Sequence, residues 1–156
     1  MKMVENKTTE TRGAIFPIPD LFKDRLFDGK HNVFVKYLSH NSTKLTARKK
    51  ILFYASGVVK ALVGEGEIEK IEFLLPQEVI RSYGNELFLS ESEFKTYGRS
   101  SASRAPSKKV LTLVLKKLRK YPKPIKLIKA MTMAGLYINA EEYDSLVKGK
   151  PKLRTY

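Results

Sequence analysis

Apolar residues along this chain fall in short runs of four to eight, punctuated by glycine, proline and polar turns, the pattern of strands and brief helices. Residues 13–18 form the first run, and Pro17 and Pro19 end it. Pro19 can occupy a first helical turn, with Leu21, Phe22, Leu26 and Phe27 following at helical spacing, so residues 19–28 are expected to be a helix that Gly29 stops. Residues 32–38 alternate, with Val33, Val35 and Tyr37 on one face and Phe34 on the other, and predict a strand followed by a polar loop over 39–46. Three more strands are expected at 50–56, 58–63 and 67–74. Gly57 separates the first two, and Gly64-Glu65-Gly66 reads as a glycine-rich turn with a close backbone approach before the third. Ile68, Lys70 and Glu72 share no simple pattern with Ile71 and Phe73, which predicts a bulge near Glu69.

Residues 76–83 predict a short helix, and Ser90-Glu91-Ser92-Glu93 is a capping box opening a second one toward Tyr97. Residues 109–118 suit a strand or a helix, and their β-branched, crowded apolar character favours the strand. A helix over 125–134 closed by Gly135, and a last one over 139–148 with Asn139 as cap and Glu142 at its third position, complete the order. Short strands interleaved with short helices make an α+β domain, with a curved, mostly antiparallel sheet closing toward a barrel. Residues 1–11 read as a polar tail, 12–149 as one domain and 150–156 as a basic tail.

Length and composition narrow the chemistry. At 156 residues the chain is one domain's worth. Without cysteine, and with His31 and His40 as its only histidines, it lacks the material for a zinc or iron–sulfur site, so no metal or cofactor is expected. No apolar stretch reaches the roughly 18 residues of a membrane span, and a soluble, cytoplasmic protein without a membrane partner is expected.

Charge changes the picture most. The net +14 is concentrated at one end: residues 1–98 hold 15 basic and 13 acidic side chains, residues 99–156 hold 15 and 3. Between Arg99 and Lys129 stand eleven basic residues and no acid. A lysine-rich thermophile surface is the rival explanation, but it predicts acids nearby in sequence, which are missing here. A nucleic acid or another polyanion is the expected partner. Within this region Tyr97, Arg99, Arg104, Lys108 and Lys109 flank or punctuate a serine-rich loop suited to phosphate oxygens, unless that loop is a plain linker. Lys116, Lys117, Arg119 and Lys120 precede Tyr121, interleaving cations with an aromatic as single-strand binders do. On the strand reading, this second cluster is expected at the strand's end.

The order of features resembles the PUA-like barrels, and within them the ASCH and EVE-like branch, closest to uncharacterised archaeal members. The pieces are Gly29-Lys30, Val33-Phe34-Val35-Lys36, Leu52-Phe53-Tyr54-Ala55-Ser56, Val63-Gly64-Glu65-Gly66-Glu67-Ile68 and Lys123-Pro124-Ile125-Lys126-Leu127. The resemblance implies a small barrel that binds RNA or a modified nucleotide in a cleft beside its helices. ASCH proteins that hydrolyse a modified nucleoside carry Gly-x-Lys-Thr at this turn, then a Thr and an Arg on the strand. Here those positions are His31, Asn32, Phe34 and Lys36, which argues against that activity.

The reading is therefore an RNA-binding module, RNA in preference to DNA. Backbone phosphates would meet the basic region, and a nucleotide would enter near Lys30, His31, Lys36, Tyr54 and Ser56. An enzyme acting on RNA or a modified nucleoside is the alternative, with His31 as general base and Lys36 beside it. A basic adaptor docking on an acidic protein is the third reading.

Overall fold

A computed structural model of the chain describes residues 10–38, 42–96, 108–127 and 135–147. Its strands are β1 (Thr11–Ile18), β2 (Val33–Lys36), β3 (Lys50–Ala55), β4 (Ala61–Leu74), β5 (Val110–Ile125) and β6 (Leu136–Asn139); its helices are α1 (Pro76–Tyr83), α2 (Glu91–Thr96) and α3 (Ala140–Val147). One six-stranded sheet runs in the order β2-β5-β4-β3-β1-β6. Only the β1–β3 pairing is parallel among these strands. The α+β class and the mostly antiparallel sheet follow the sequence reading. Among the described residues the sheet does not close into the expected barrel, because the four-residue strands β2 and β6 end it on either side.

Both faces of the sheet are covered. Along β3, Ile51, Phe53 and Ala55 enter a large core while Leu52 and Tyr54 enter a second cluster, as the two-residue period requires. Phe34 is the hub of the large core, with ring centroids 5.9 Å from Phe16, 5.2 Å from Phe53 and 5.1 Å from Phe88. Such buried side chains contribute about 1.5–3 kcal/mol each. The second cluster joins Ile15, Leu52, Tyr54, Leu62, Tyr121 and Ile138 to Leu146 of α3. β2 is buried through Val33, Phe34 and Val35 alike, so its alternation does not separate a core face from a wet one.

Three expectations are corrected. Residues 19–28 form two 3₁₀ turns, Asp20–Phe22 and Arg25–Phe27, instead of one helix. The Asp20 carboxylate is engaged elsewhere, accepting the N–H groups of Gly57, Val58 and Val59 at 2.9, 2.7 and 3.2 Å, and so pins this segment to the β3–β4 turn. The expected strands 58–63 and 67–74 are one continuous β4, with Gly64 and Gly66 inside it. Finally, β5 runs 16 residues to Ile125, which therefore ends a strand and opens no helix; residues 128–134 lie outside those described.

Other signals hold at atomic detail. The register of β4 on β5 shifts between Ile68 and Lys70, leaving Glu69 as the extra residue of a bulge. At α2 the Ser90 N–H donates to Glu93 Oε1 at 2.8 Å and the Glu93 N–H to Ser90 Oγ at 3.2 Å. At α3 Asn139 and Glu142 exchange the equivalent bonds, both 2.8 Å.

Candidate nucleic-acid interface

Between the second 3₁₀ turn and β2 the chain folds around one carboxylate. Gly29 takes φ +82°, in the left-handed region, letting the backbone N–H groups of Lys30 and His31 donate to Asp28 Oδ1 at 2.8 and 3.1 Å. The other oxygen, Oδ2, lies 2.7 Å from His31 Nδ1. The Lys30 N–H foremost, with help from His31, holds the Asp28 carboxyl below its usual range. An imidazole that shares Nδ1 with a carboxylate leaves Nε2 available to a ligand. Asn32 then anchors the turn to β5: its side-chain amide donates to the Leu115 carbonyl at 3.2 Å, and the Leu115 N–H donates to the Asn32 carbonyl at 2.8 Å.

β5 bends where it meets this turn. In the register Glu65 faces Arg119 and Glu67 faces Lys116, so Lys117 and Leu118 together oppose the single residue Gly66. Lys117 carries the strain with φ +53°, and the bulge re-aims the side chains around it. The glycines make room on one face of β4: a Cβ on Gly64 would lie 2.4 Å from Phe27 and 2.6 Å from the Arg119 carbonyl oxygen, and one on Gly66 would lie 2.7 Å from Leu118. Phe27 and Leu118 can therefore settle close to the sheet. Above them opens a cavity of about 570 Å³, with Leu26, Phe27, Leu115 and Leu118 as apolar walls and Lys30, His31, Asn32, Lys116, Lys117 and Glu86 around them. That volume is in the range of small-ligand sites.

The opposite face of β4 carries glutamates. Glu65 is 3 % exposed, yet its carboxylate accepts the Tyr121 hydroxyl at 2.8 Å and the Tyr143 hydroxyl at 2.8 and 2.9 Å. Arg119 and Lys50 approach it at 3.3 and 3.7 Å. Burial first, then the negative Glu65, pushes the Tyr143 hydroxyl up to about 12 and Tyr121 higher still. Both tyrosines therefore remain donors, and the buried carboxylate is fully partnered. Glu67 lies 3.6, 3.7 and 3.8 Å from the ammonium groups of Lys50, Lys116 and Lys117. Burial works to raise its carboxyl, but Lys117, Lys50 and Lys116 outweigh it and hold the group below the usual range. Lys120 pairs with Asp24 at 3.0 Å.

The absence of acids between Arg99 and Lys129 in sequence is thus not an absence in space, because β4 and the 3₁₀ segment supply them. Lys116, Lys117, Arg119 and Lys120 lie inside β5, not beyond its end as expected. Of the anticipated residues, the fold brings Lys30, His31, Lys116 and Lys117 onto one cavity. Lys36 stands at the far end of β2 with its ammonium 5.4 Å from the Phe16 ring centroid. Tyr54 is 5 % exposed within the second cluster, and Ser56 donates its hydroxyl to the Ile18 carbonyl. Lys108 and Lys109 precede Val110, eight or nine residues of strand from Lys117, a separation of roughly 26–30 Å. Tyr97, Arg99 and Arg104 lie outside the described residues. The sequence reading missed Lys50, Glu67 and Asp28 as members of this surface; the Asp-Gly-x-His spacing signals the last of these. Among the described residues no group of three histidines, cysteines or acids could hold a metal ion, and no helix is long and apolar enough to cross a membrane.

This sheet with its short helices resembles the fold of solved ASCH proteins. The ASCH protein of Zymomonas mobilis superposes with TM-score 0.71 at 21 % identity, covering 88 % of this chain and 94 % of that one. The N-terminal domain of Staphylothermus marinus McrB gives TM-score 0.61 at 17 % identity, with the same coverage of each chain. The chain belongs to the family described as a domain of unknown function, DUF365, whose model matches residues 11–140. The uncharacterized protein MJECS03 of Methanocaldococcus jannaschii is 37 % identical over 105 residues, spanning 64 % of this chain and 97 % of that relative.

Proposed function

We propose that this protein is a binding module for single-stranded nucleic acid, RNA in preference to DNA. Its site is the cavity between the Gly29–Asn32 turn and the β5 bulge. One observation carries the reading: two basic signals more than eighty residues apart in sequence, Lys30-His31 and Lys116-Lys117, border one cavity with an apolar floor. An unstacked base would rest against Phe27 and Leu118, while phosphates meet the lysines at the rim. His31 and Asn32 offer polar groups within reach of a 2′-hydroxyl, which favours RNA. Arg119 and Lys120 extend the positive surface along β5.

The test is fluorescence anisotropy with labelled oligouridylate and oligothymidylate across a salt series. Binding should weaken steeply with salt, and the Lys116→Ala/Lys117→Ala variant should flatten the slope of log affinity on log salt by about 0.7 for each phosphate no longer neutralised. An unchanged slope would remove this surface from the site.

The Asp28–His31 pair supports a second reading, RNA cleavage, with His31 Nε2 taking the proton of a 2′-hydroxyl that attacks the neighbouring phosphorus; the P–O5′ bond breaks, and the 5′-oxygen leaves as a hydroxyl after taking a proton from water. Incubating labelled single-stranded RNA with nuclease-free protein separates the two. Cleavage lost in His31→Ala would establish the enzyme; intact RNA leaves the binding module.

A further inference from the structure

Lys116 and Lys117, which the nucleic-acid reading assigns to phosphate, already surround an anion of the protein itself, and the role of that anion rests on the same reading. Glu67 faces Lys50 on β3 and Lys116 on β5, and Lys117 reaches the same carboxylate from the bulge. At 3.6 to 3.8 Å the three ammoniums attract the carboxylate without the short, directed bonds that would clamp it. The three lysines differ in freedom. Lys50 is sandwiched between Glu65 and Glu67 with its side chain 18 % exposed, whereas Lys116 and Lys117 are 45 % and 69 % exposed.

We propose that Glu67 is an internal competitor for phosphate, which holds Lys116 and Lys117 in the empty protein and selects a polyanion over an isolated carboxylate. When a strand arrives, the two exposed lysines swing to its phosphates while Lys50 stays behind to neutralise Glu67. A carboxylate on an acidic partner offers these lysines the same chemical group they already hold, so the exchange gains little. A nucleic-acid strand presents phosphates in series, and those bound at Lys30 and along β5 raise the effective concentration of the one competing with Glu67.

Glu67→Gln keeps the side chain's size and removes its charge. With a labelled oligouridylate of about 12 nucleotides, within the usual single-strand site size, the variant should bind about three- to tenfold more tightly than wild type at low salt, where tenfold is ~1.4 kcal/mol. Acetate, compared with chloride at the same ionic strength, should displace the oligonucleotide from the variant but not from wild type at the same concentration. Glu67→Thr, uncharged and strand-forming, gives the same readout should the glutamine variant not fold. Equal or weaker oligouridylate binding by the uncharged variants overturns the proposal, since Glu67 then organises the lysines instead of competing for them. Acetate acting alike on both proteins overturns the selectivity. If wild type binds but Lys116→Ala/Lys117→Ala binds equally well, the competition is disproved while nucleic-acid binding stands. If neither wild type nor the uncharged variants bind, the underlying reading falls too.

Discussion

From Val110 to Leu115, β5 runs between β2 and β4 with most of its side chains buried, whereas from Lys116 to Ile125 it keeps β4 but, among the described residues, has no strand on its other side. β2 is only four residues long, and its partners on β5 are Leu111 to Val114. Where β2 stops, the apolar run on β5 stops as well, and the lysines begin. An exposed strand edge presents unpaired backbone groups, and lysines on it discourage pairing with another chain. Here Lys116 and Lys117 also border the cavity, while their ammoniums lie against Glu67 on the other face of β4. A single strand thus serves as core over one half and as charged surface over the other, and the bulge at Lys117 marks the boundary.

Mutations in the two halves should separate stability from binding. The largest effect is expected from Leu111→Ala or Leu113→Ala, both fully buried, which should cost about 2–5 kcal/mol in urea unfolding. A loss under 1 kcal/mol at these positions would contradict the burial described. Gly64→Ala should follow at about 1–3 kcal/mol, because its Cβ would meet the Arg119 carbonyl, which is backbone, as well as Phe27. Gly66→Ala should cost less, since Leu118 presents the end of a flexible side chain; the two unfolding midpoints should fall in that order.

That glycine pair also shows what sequence patterns could and could not convey. Strands, both capping boxes and the Glu69 bulge were legible because each depends on neighbours along the chain. Gly64-Glu65-Gly66-Glu67 was read as a turn because glycine usually marks one, yet here alternation sorts glycines to the face that Phe27 and Leu118 crowd and glutamates to the face that holds cations. The long acid-free stretch was legible as charge, but its partners arrive from β4 through a register that no local pattern reveals. His31 was visible as a candidate, and its apposition to Lys116 and Lys117 came only with the pairing of β2 and β5.

The charged half should tolerate substitution. Lys116→Ala/Lys117→Ala is expected to change stability by no more than about 0.5 kcal/mol, as exposed positions usually do, while weakening oligouridylate binding. A fall in stability and binding together would mean that the lysines belong to the fold. A smaller effect than in the core is expected at the Arg25–Glu93 pair, which ties the second 3₁₀ turn to α2 with NH2 2.9 Å from Oε2. Arg25 first, then the Ser90 N–H, holds Glu93 at about 2 against an ordinary 4.5. A carboxyl lowered on folding stabilises above its unfolded pKa, so this contribution is complete above about pH 4.5 and fades as pH falls toward 2. Both side chains remain partly open to water, so Glu93→Gln should remove only about 1 kcal/mol at neutral pH. Its stability should also fall less than that of wild type between pH 5 and 2, by urea unfolding at each pH.

Backbone amide shifts in the NMR spectrum of ¹⁵N-labelled protein, titrated with oligouridylate at low salt, bear most directly on the claim that the Gly29–Asn32 turn and the basic half of β5 form one nucleic-acid site. The account predicts that Lys30, His31, Asn32, Lys116, Lys117 and Leu118 shift together, along one saturation curve, while Val110 to Leu113 stay in place. Shifts confined to other surfaces, or separate curves for the turn and the strand, would contradict it.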